Sequence, residues 1–257
     1  MATAETLLIV NADDLGRTTG VNAGIFEAHR RGIVTSATLM VAYPAAAQAA
    51  AELAAHPALG VGLHVALSGG RPVLPVGWVP SLVDSDGRLP PGRDGLGSAN
   101  PGEVLAEVRA QVDRFQRLTG RLPTHLDGHH HCHRVPAVLE AVVEVANEHD
   151  LPVRDAGEGI RRRLERAGIA TTDRFVNRFY GDQARLETLL EILAGVGPGT
   201  TEVMCHPGRA DAELLDGSSY AVEREREVEI LTHPDVVRAA RRPGVRLADF
   251  GALGTEG

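Results

Sequence analysis

Short apolar segments alternate with helix-forming segments along most of this 257-residue chain. The first apolar run, 7–11, lacks the alternation of a half-exposed strand and is typical of a parallel strand covered on both faces. Further strand patterns lie at 34–41, 60–65, 123–128, 151–154, 174–180, 201–205 and 245–250. Seven or eight strands with intervening helices and no internal repeat predict an α/β fold, a (β/α) barrel or a distorted relative of one.

The segments between these strands have helical patterns, at 21–31, 45–55, 103–118, 135–149, 158–166, 183–194, 221–231 and 234–241. A doubly wound open sheet is the competing architecture, but the first strand is not followed by the Gly-x-Gly-x-x-Gly turn. The length predicts a single domain over 1–257, because barrels of roughly 200–250 residues often form one unit. The Gly/Pro-rich segment 68–100 predicts a loop excursion over the mouth of an active site.

Charge and cysteine content narrow the class of protein. The formal net charge of −8 argues against nucleic acid or an anionic membrane as partner and favours a small neutral or cationic substrate. The two cysteines, Cys132 and Cys205, cannot form a disulfide framework and indicate buried, reduced thiols in a reducing compartment. No apolar run reaches the length of a membrane span and no export signal is recognisable, so we expect a soluble cytoplasmic protein.

Five histidines lie within the nine residues 125–133. Imidazole is the commonest side-chain ligand for transition metals, and this cluster is internal and interrupted, unlike an expression tag. If the preceding strand continued through the cluster, His129, His131 and His133 would share one face while His130 would point away. The cluster predicts a metal site, with a structural or surface role as the alternative.

Polar groups follow the carboxyl ends of four predicted strands: the pair Asp13 and Asp14, then His64, the histidine cluster and His206. In a parallel barrel these ends meet at one face, where substrate sites form. One carboxylate and two imidazoles hold a divalent ion with positions open for water and substrate. We select Asp14, His64 and His129 as this triad.

Adjacent aspartates leaving a strand point in different directions, so Asp13 is free to act as a general base. A turn or helix cap is the alternative for the aspartate pair. Arg154, after another predicted strand, would pair with Asp13 and hold it ionised, or else form a surface ion pair. Taken singly, His64 is compatible with a core position and His206 with a turn. Asp127 and His131 are further candidates for supporting residues.

Four motifs occur in order over the first 208 residues: Asn11-Ala12-Asp13-Asp14-Leu15-Gly16, Gly62-Leu63-His64, Thr124-His125-Leu126-Asp127-Gly128-His129-His130-His131 and Cys205-His206-Pro207-Gly208. Together they resemble the motifs of the YdjC-like (ChbG-type) carbohydrate deacetylases. Leu15 stands where family members commonly have Phe, and Gly128 where Ser also occurs. Neither difference removes a chemically active group.

The resemblance implies a (β/α) barrel of the polysaccharide-deacetylase kind, with one divalent ion on Asp14, His64 and His129. It also implies that Asp13 is the base and His206 the acid. Magnesium is often attributed to the family, whereas two imidazoles and a carboxylate suit zinc or another transition ion better, so Mg²⁺ and Zn²⁺ both stay open. The expected reaction removes the N-acetyl group of an amino sugar, a short chito-oligosaccharide or an N-acetylglucosamine derivative, giving acetate and a free amine.

Two other functions are compatible with such residues. A metal-dependent phosphoesterase also uses Asp and His on barrels, but it needs more carboxylate ligands and a basic phosphate pocket, and these motifs contain few basic residues. A non-catalytic metal-binding or sugar-binding protein would not need Asp13 or His206 beside the ion. A homodimer is also an expectation, since barrels commonly pair and the Ala-rich helices offer a surface.

Overall fold

The computed structural model describes residues 5–253, in which seven strands form one sheet. The strands are β1 (Thr6–Leu15), β2 (Ser36–Leu39), β3 (Gly60–Val65), β4 (Leu126–Gly128), β5 (Arg174–Val176), β6 (Gly199–Cys205) and β7 (Val245–Leu247). The helices are α1 (Thr19–Arg31), α2 (Ala46–Glu52), α3 (Pro101–Thr119), α4 (Pro136–His149), α5 (Glu158–Ala167), α6 (Leu186–Ala194), α7 (Ala212–Gly217), α8 (Val222–Leu231) and α9 (Pro234–Ala240).

All the strand pairs are parallel, in the order β4-β3-β2-β1-β6-β5. The long strand β1 is central: along one edge it pairs with β7 near its start and with β2 near its end, while β6 covers the other edge. No ladder joins β4 to β5 within residues 5–253. The predicted α/β architecture is confirmed as an open, distorted (β/α) barrel, and all carboxyl ends face the same side.

The burial of β1 follows from its central position in the sheet. Every residue from Leu7 to Leu15 is buried, which accounts for the unbroken apolar run that began the chain. The helices cover the sheet with one apolar face each; in α4 that face includes Val138, Val142 and Val145, at helical spacing. Within the described part of the chain, no helix has both the length and the apolar composition needed to cross a bilayer.

Some predicted elements differ from the structure. The segment 151–154 forms only a single bridge, between Val153 and Leu126, and the last strand ends at Leu247 instead of 250. The six-residue helix α7 was not predicted, because so short a segment shows little periodicity. These elements lie at the margins of the sheet, where tertiary contacts more than local pattern decide the conformation.

The Gly/Pro-rich segment 68–100 folds into short 3₁₀ turns and returns along the mouth of the barrel. Glu107 of α3 is fully buried and fixes the start of this loop, accepting hydrogen bonds from the backbone N–H groups of Val73 and Leu74 at 2.8 and 3.0 Å. Later in the segment, Pro91 and Arg93 border a cavity above the strand ends.

Candidate active site

A cavity of about 620 Å³ opens at the carboxyl ends of the strands. The residues predicted to form the site border it: Asp13, Asp14, His64, His129, His131 and His206. Asp127 and Arg154 lie directly beneath them and are fully buried. Segments far apart in the chain therefore meet here, as expected for parallel strands that end on one side of a sheet.

Asp14, His64 and His129 direct ligand atoms toward one point. The Oδ1 atom of Asp14 lies 3.0 Å from Nδ1 of His129 and 3.4 Å from Nε2 of His64. One ligand atom from each residue lies within 4.8 Å of the others, and all three side chains are buried. Oδ1 has no hydrogen-bond donor in the described structure. A buried carboxylate oxygen without a donor, facing two imidazole nitrogens, fits a divalent cation.

The backbone of β1 turns Asp14 toward this point. The pairing of β1 with β2 shifts register between Ala12 and Leu15, and Asp14 has a positive φ of 71°. A bulge of this kind re-aims a side chain near the end of a strand, and left-handed backbone at a non-glycine residue is characteristic of functional sites. Because of this irregularity, the side chains of Asp13 and Asp14 point in different directions, as predicted for adjacent residues.

Asp127 at the end of β4 orients His64. Its Oδ1 lies 2.6 Å from Nδ1 of His64, which leaves Nε2 facing Asp14. Thr38 donates to the other oxygen of Asp127 at 3.1 Å. Burial alone would lower the pKa of His64, but the Asp127 carboxylate raises it to about 10. A carboxylate behind a histidine in this way fixes the ring and increases its strength as a ligand.

Asp13 is held by a fully buried guanidinium. Arg154 contacts both oxygens of Asp13 at 2.7 Å and also pairs with Asp127 and Glu202, at 2.8 and 2.7 Å. Burial opposes ionisation of Asp13, yet Arg154 lowers its pKa below the usual range. Because Arg154 has no exposed surface, the alternative of a surface ion pair is wrong.

These contacts also show which of two possible metal sites is better suited to a cation. A second group, Asp13 with His64 and Asp127, has ligand atoms equally close together. There, however, the oxygens of Asp13 and Asp127 already accept hydrogen bonds from Arg154, Thr38 and His64. Asp14 keeps a free oxygen, so the first group is the better cation site.

His206 follows β6 and faces Asp13, with Nε2 3.9 Å from Oδ2 of the carboxylate. Burial lowers the pKa of His206 to about 4, so the ring is neutral at neutral pH in the metal-free protein. The carboxylate of Glu227 in α8 accepts hydrogen bonds from the backbone N–H of His206 and from the hydroxyl of Tyr220, at 2.5 Å each. Tyr180 stacks on Tyr220 with centroids 4.3 Å apart and completes this wall of the cavity.

The histidine cluster does not continue as a strand, so the predicted sharing of faces is wrong. After Gly128 the chain forms a 3₁₀ turn from His129 to Arg134, in which His130 and His131 have positive φ. His130 borders the cavity instead of pointing away, and its Nδ1 lies 2.9 Å from the hydroxyl of Ser68. His133 is fully buried and does not border the cavity.

Close packing explains this turn. A Cβ atom at Gly128 would lie 2.7 Å from the sulfur of Cys132 and 2.8 Å from Nδ1 of His133, both too close. A side chain at this position would require Cys132 and His133 to move, so glycine fits the turn as it stands. His131 has a buried Nδ1 without a partner, and burial lowers its pKa to about 4; it borders the cavity but lies outside the cation-binding group.

Sequence reasoning missed several residues of the site. Arg17, Arg93 and Arg224 border the cavity, although the motifs contain few basic residues. Arg224 donates to Oδ2 of Asp14, and Glu202 closes the network around Arg154. No sequence motif marks Arg224 or Glu227, whose roles depend on how α8 packs beside the strand ends. Cys132 and Cys205 are free and buried, as predicted.

Comparison with known proteins shows which family the chain belongs to. The model of the family described as YdjC-like protein matches residues 7–242. The chain belongs to the YdjC-like family. A carbohydrate deacetylase from Brevibacillus brevis is 42% identical over 249 residues, covering 96% of this chain and 99% of that protein. A chitooligosaccharide deacetylase from Yersinia enterocolitica is 38% identical over 253 residues, covering 96% and 98%.

Solved structures extend the likeness to the fold. A crystal structure from Enterococcus faecalis, of a protein proposed to cleave cellobiose phosphate, matches with a TM-score of 0.93 and 35% identity, covering 98% of this YdjC-like chain and all of that chain. A family 4 carbohydrate esterase from Streptomyces lividans matches with a TM-score of 0.51 and 10% identity, covering 95% and 93%. At that identity the second likeness concerns the fold alone.

Proposed function

We propose that this YdjC-like chain is a metal-dependent carbohydrate deacetylase that hydrolyses the N-acetyl group of an amino sugar. The observation that carries the proposal is the free carboxylate oxygen of Asp14 facing His64 and His129, with Asp13 and His206 beside it. Relatives of nearly the same length, named carbohydrate deacetylase and chitooligosaccharide deacetylase, support the substrate class. The products are acetate and a free amino sugar.

Asp14, His64 and His129 would hold one divalent ion. Such an ion polarises the acetamide carbonyl and lowers the pKa of a bound water. Two imidazole nitrogens and one carboxylate oxygen favour Zn²⁺ or another transition ion over Mg²⁺, which prefers oxygen ligands. Asp127 serves as a positioning residue, because it fixes which nitrogen of His64 faces Asp14.

Asp13 is the general base in this proposal. Its low pKa keeps the carboxylate ionised, and Arg154 fixes both oxygens, so it can accept a proton from water without prior rearrangement. His206 then supplies a proton to the sugar nitrogen as the C–N bond breaks. Since His206 is neutral at the outset, it must first take up a proton. We assign Asp13 as the source, because its Oδ2 lies 3.9 Å from Nε2 of His206, and the two side chains must move closer for the transfer.

Acetate release tests the proposal. Purified protein would be stripped with a chelator, reloaded with Zn²⁺, Mn²⁺ or Mg²⁺, and incubated with N-acetylglucosamine, N,N′-diacetylchitobiose and longer chito-oligosaccharides. We expect equimolar acetate and free amine from at least one of these sugars, no product after chelation, and recovery with a transition ion. Absence of acetate from all of them, or equal activity after chelation, would refute the proposal.

A further inference from the structure

Arg224 has a buried hydrogen-bond donor with no acceptor among the described residues. The residue lies in α8, is only 2% exposed, and borders the cavity of the candidate site. A guanidinium has five N–H donors in a rigid plane and no acceptor. Where each of them points therefore defines what Arg224 can bind.

Two of the three guanidinium nitrogens donate hydrogen bonds to protein oxygens. Nε donates to the backbone carbonyl of Tyr220 at 2.9 Å, and Nη2 donates to Oδ2 of Asp14. Nη1 is buried and has no partner among the described residues. A charged donor buried without an acceptor is unfavourable, so a molecule in the cavity that offers an oxygen to Nη1 gains binding free energy.

The surroundings favour a neutral, oxygen-rich occupant. Asp14 already balances the charge of Arg224, so Nη1 needs an acceptor oxygen but no further negative charge. Tyr180, which stacks on the buried ring of Tyr220, is exposed and offers aromatic surface to the carbon–hydrogen face of a sugar ring. Hydroxyl oxygens on such a ring are suitable acceptors for Nη1.

We propose that Arg224 is a substrate-binding residue, in which Nη1 donates to an oxygen of the sugar while Nη2 holds the Asp14 carboxylate. The inference rests on the proposed function, because it assumes that the cavity binds an amino sugar. It joins substrate recognition to the cation site through one side chain. A residue that only positions Asp14 would affect metal binding and leave sugar binding unchanged.

Binding of an intact sugar separates these roles. Asp13→Asn protein, in which we expect slow turnover, would be saturated with Zn²⁺ and titrated calorimetrically with N,N′-diacetylchitobiose. Arg224→Gln and Arg224→Lys would be compared in this background, with Arg226→Gln as the matched control on an exposed part of the same helix. Lysine keeps a cation near Asp14 but cannot reach three acceptors from a planar fork. Circular dichroism and metal titrations would check the fold and the metal content of each variant.

We expect both Arg224 variants to bind the sugar at least about tenfold more weakly at full metal occupancy, as for a lost hydrogen bond to a charged group. KM should rise by a similar factor in the background with Asp13 intact, and Arg226→Gln should bind normally. Unchanged sugar affinity in folded, metal-loaded Arg224→Lys and Arg224→Gln would overturn the inference, as would no sugar binding before Arg224 is changed. Failure of the proposed function would look different: the unaltered protein would release no acetate from any sugar.

Discussion

Arg154 binds Asp13 through both of its terminal nitrogens, which lie 2.7 Å from the two carboxylate oxygens. The guanidinium is fully buried and pairs with three carboxyl groups, those of Asp13, Asp127 and Glu202. Arg154 thus connects the proposed base to the carboxylate that orients His64. Its ion pairs form a network beneath the cavity, in which the position of each charged group depends on the others.

Replacement of Arg154 should damage both stability and activity. Arg154→Gln leaves three buried carboxylates without their cation, and removal of one partner from a buried ion pair typically costs about 3–5 kcal/mol. Urea unfolding measures the free energy of unfolding, and acetate release the activity. Arg163→Gln breaks a surface pair with Glu140 and should cost less than about 1 kcal/mol. Equal losses in the two variants would contradict the importance of the buried network.

Asp127→Asn should weaken metal binding, although the three metal-binding side chains are unchanged. The amide cannot hold the His64 ring as a carboxylate does, and loss of such a partner typically lowers metal affinity about 10–100-fold. Competition with a chromogenic chelator measures the dissociation constant. Asp235→Asn, at a half-exposed position in α9, is the control and should bind metal normally. An affinity within twofold of the unaltered protein would show that Asp127 does not support His64.

The metal-free protein should lose stability in mild acid. Burial lowers the pKa of His125 and His133 to about 3 and that of His206 to about 4, against about 6.5 in an unfolded chain. As the pH falls below 6.5, these histidines bind protons in the unfolded chain but not in the folded chain. The free energy of unfolding therefore decreases until about pH 3–4. Glu202, Glu227 and His64 act in the opposite direction, because burial raises the pKa of each glutamate to about 7 and the Asp127 carboxylate raises that of His64 to about 10.

Urea unfolding in the presence of a chelator, at pH 7.5 and 5.0, measures this change. We expect a lower free energy of unfolding at pH 5.0, because five histidines with lowered pKa outnumber the three groups with raised pKa. The five are His125, His130, His131, His133 and His206. His133→Asn removes one of the buried rings and should make the pH dependence shallower. An unchanged dependence in this variant would show that His133 does not contribute to it.

The position of the site could be predicted from the sequence because it follows from topology. Asp13 and Asp14 lie at the end of β1, His64 lies near the end of β3 and His206 follows β6. Parallel strands end on one side of the sheet. The conformation of the histidine cluster could not be predicted, because the turn after Gly128 depends on close packing against Cys132 and His133. The extended pattern of the preceding residues carries no sign of that contact.

Residues that act through long-range contacts could not be predicted. Arg224 and Glu227 belong to a helix near the end of the chain and reach the site only because α8 packs beside α1. Glu202 is a charged residue within a buried strand, and its partner Arg154 is 48 positions away. Local patterns give the type of each element, whereas these pairings depend on the complete tertiary arrangement.

The central claim is that neighbouring aspartates have different tasks, with Asp14 holding the ion and Asp13 taking the proton. Asp13→Asn and Asp14→Asn differ from each other by one position and are matched in size and charge. Native mass spectrometry would count bound ions in each variant, and the same samples would be assayed for acetate release.

We expect Asp13→Asn to retain one ion and lose nearly all acetate release, and Asp14→Asn to lose the ion. An Asp13→Asn protein without metal, together with an Asp14→Asn protein that keeps its ion and its activity, would contradict this assignment.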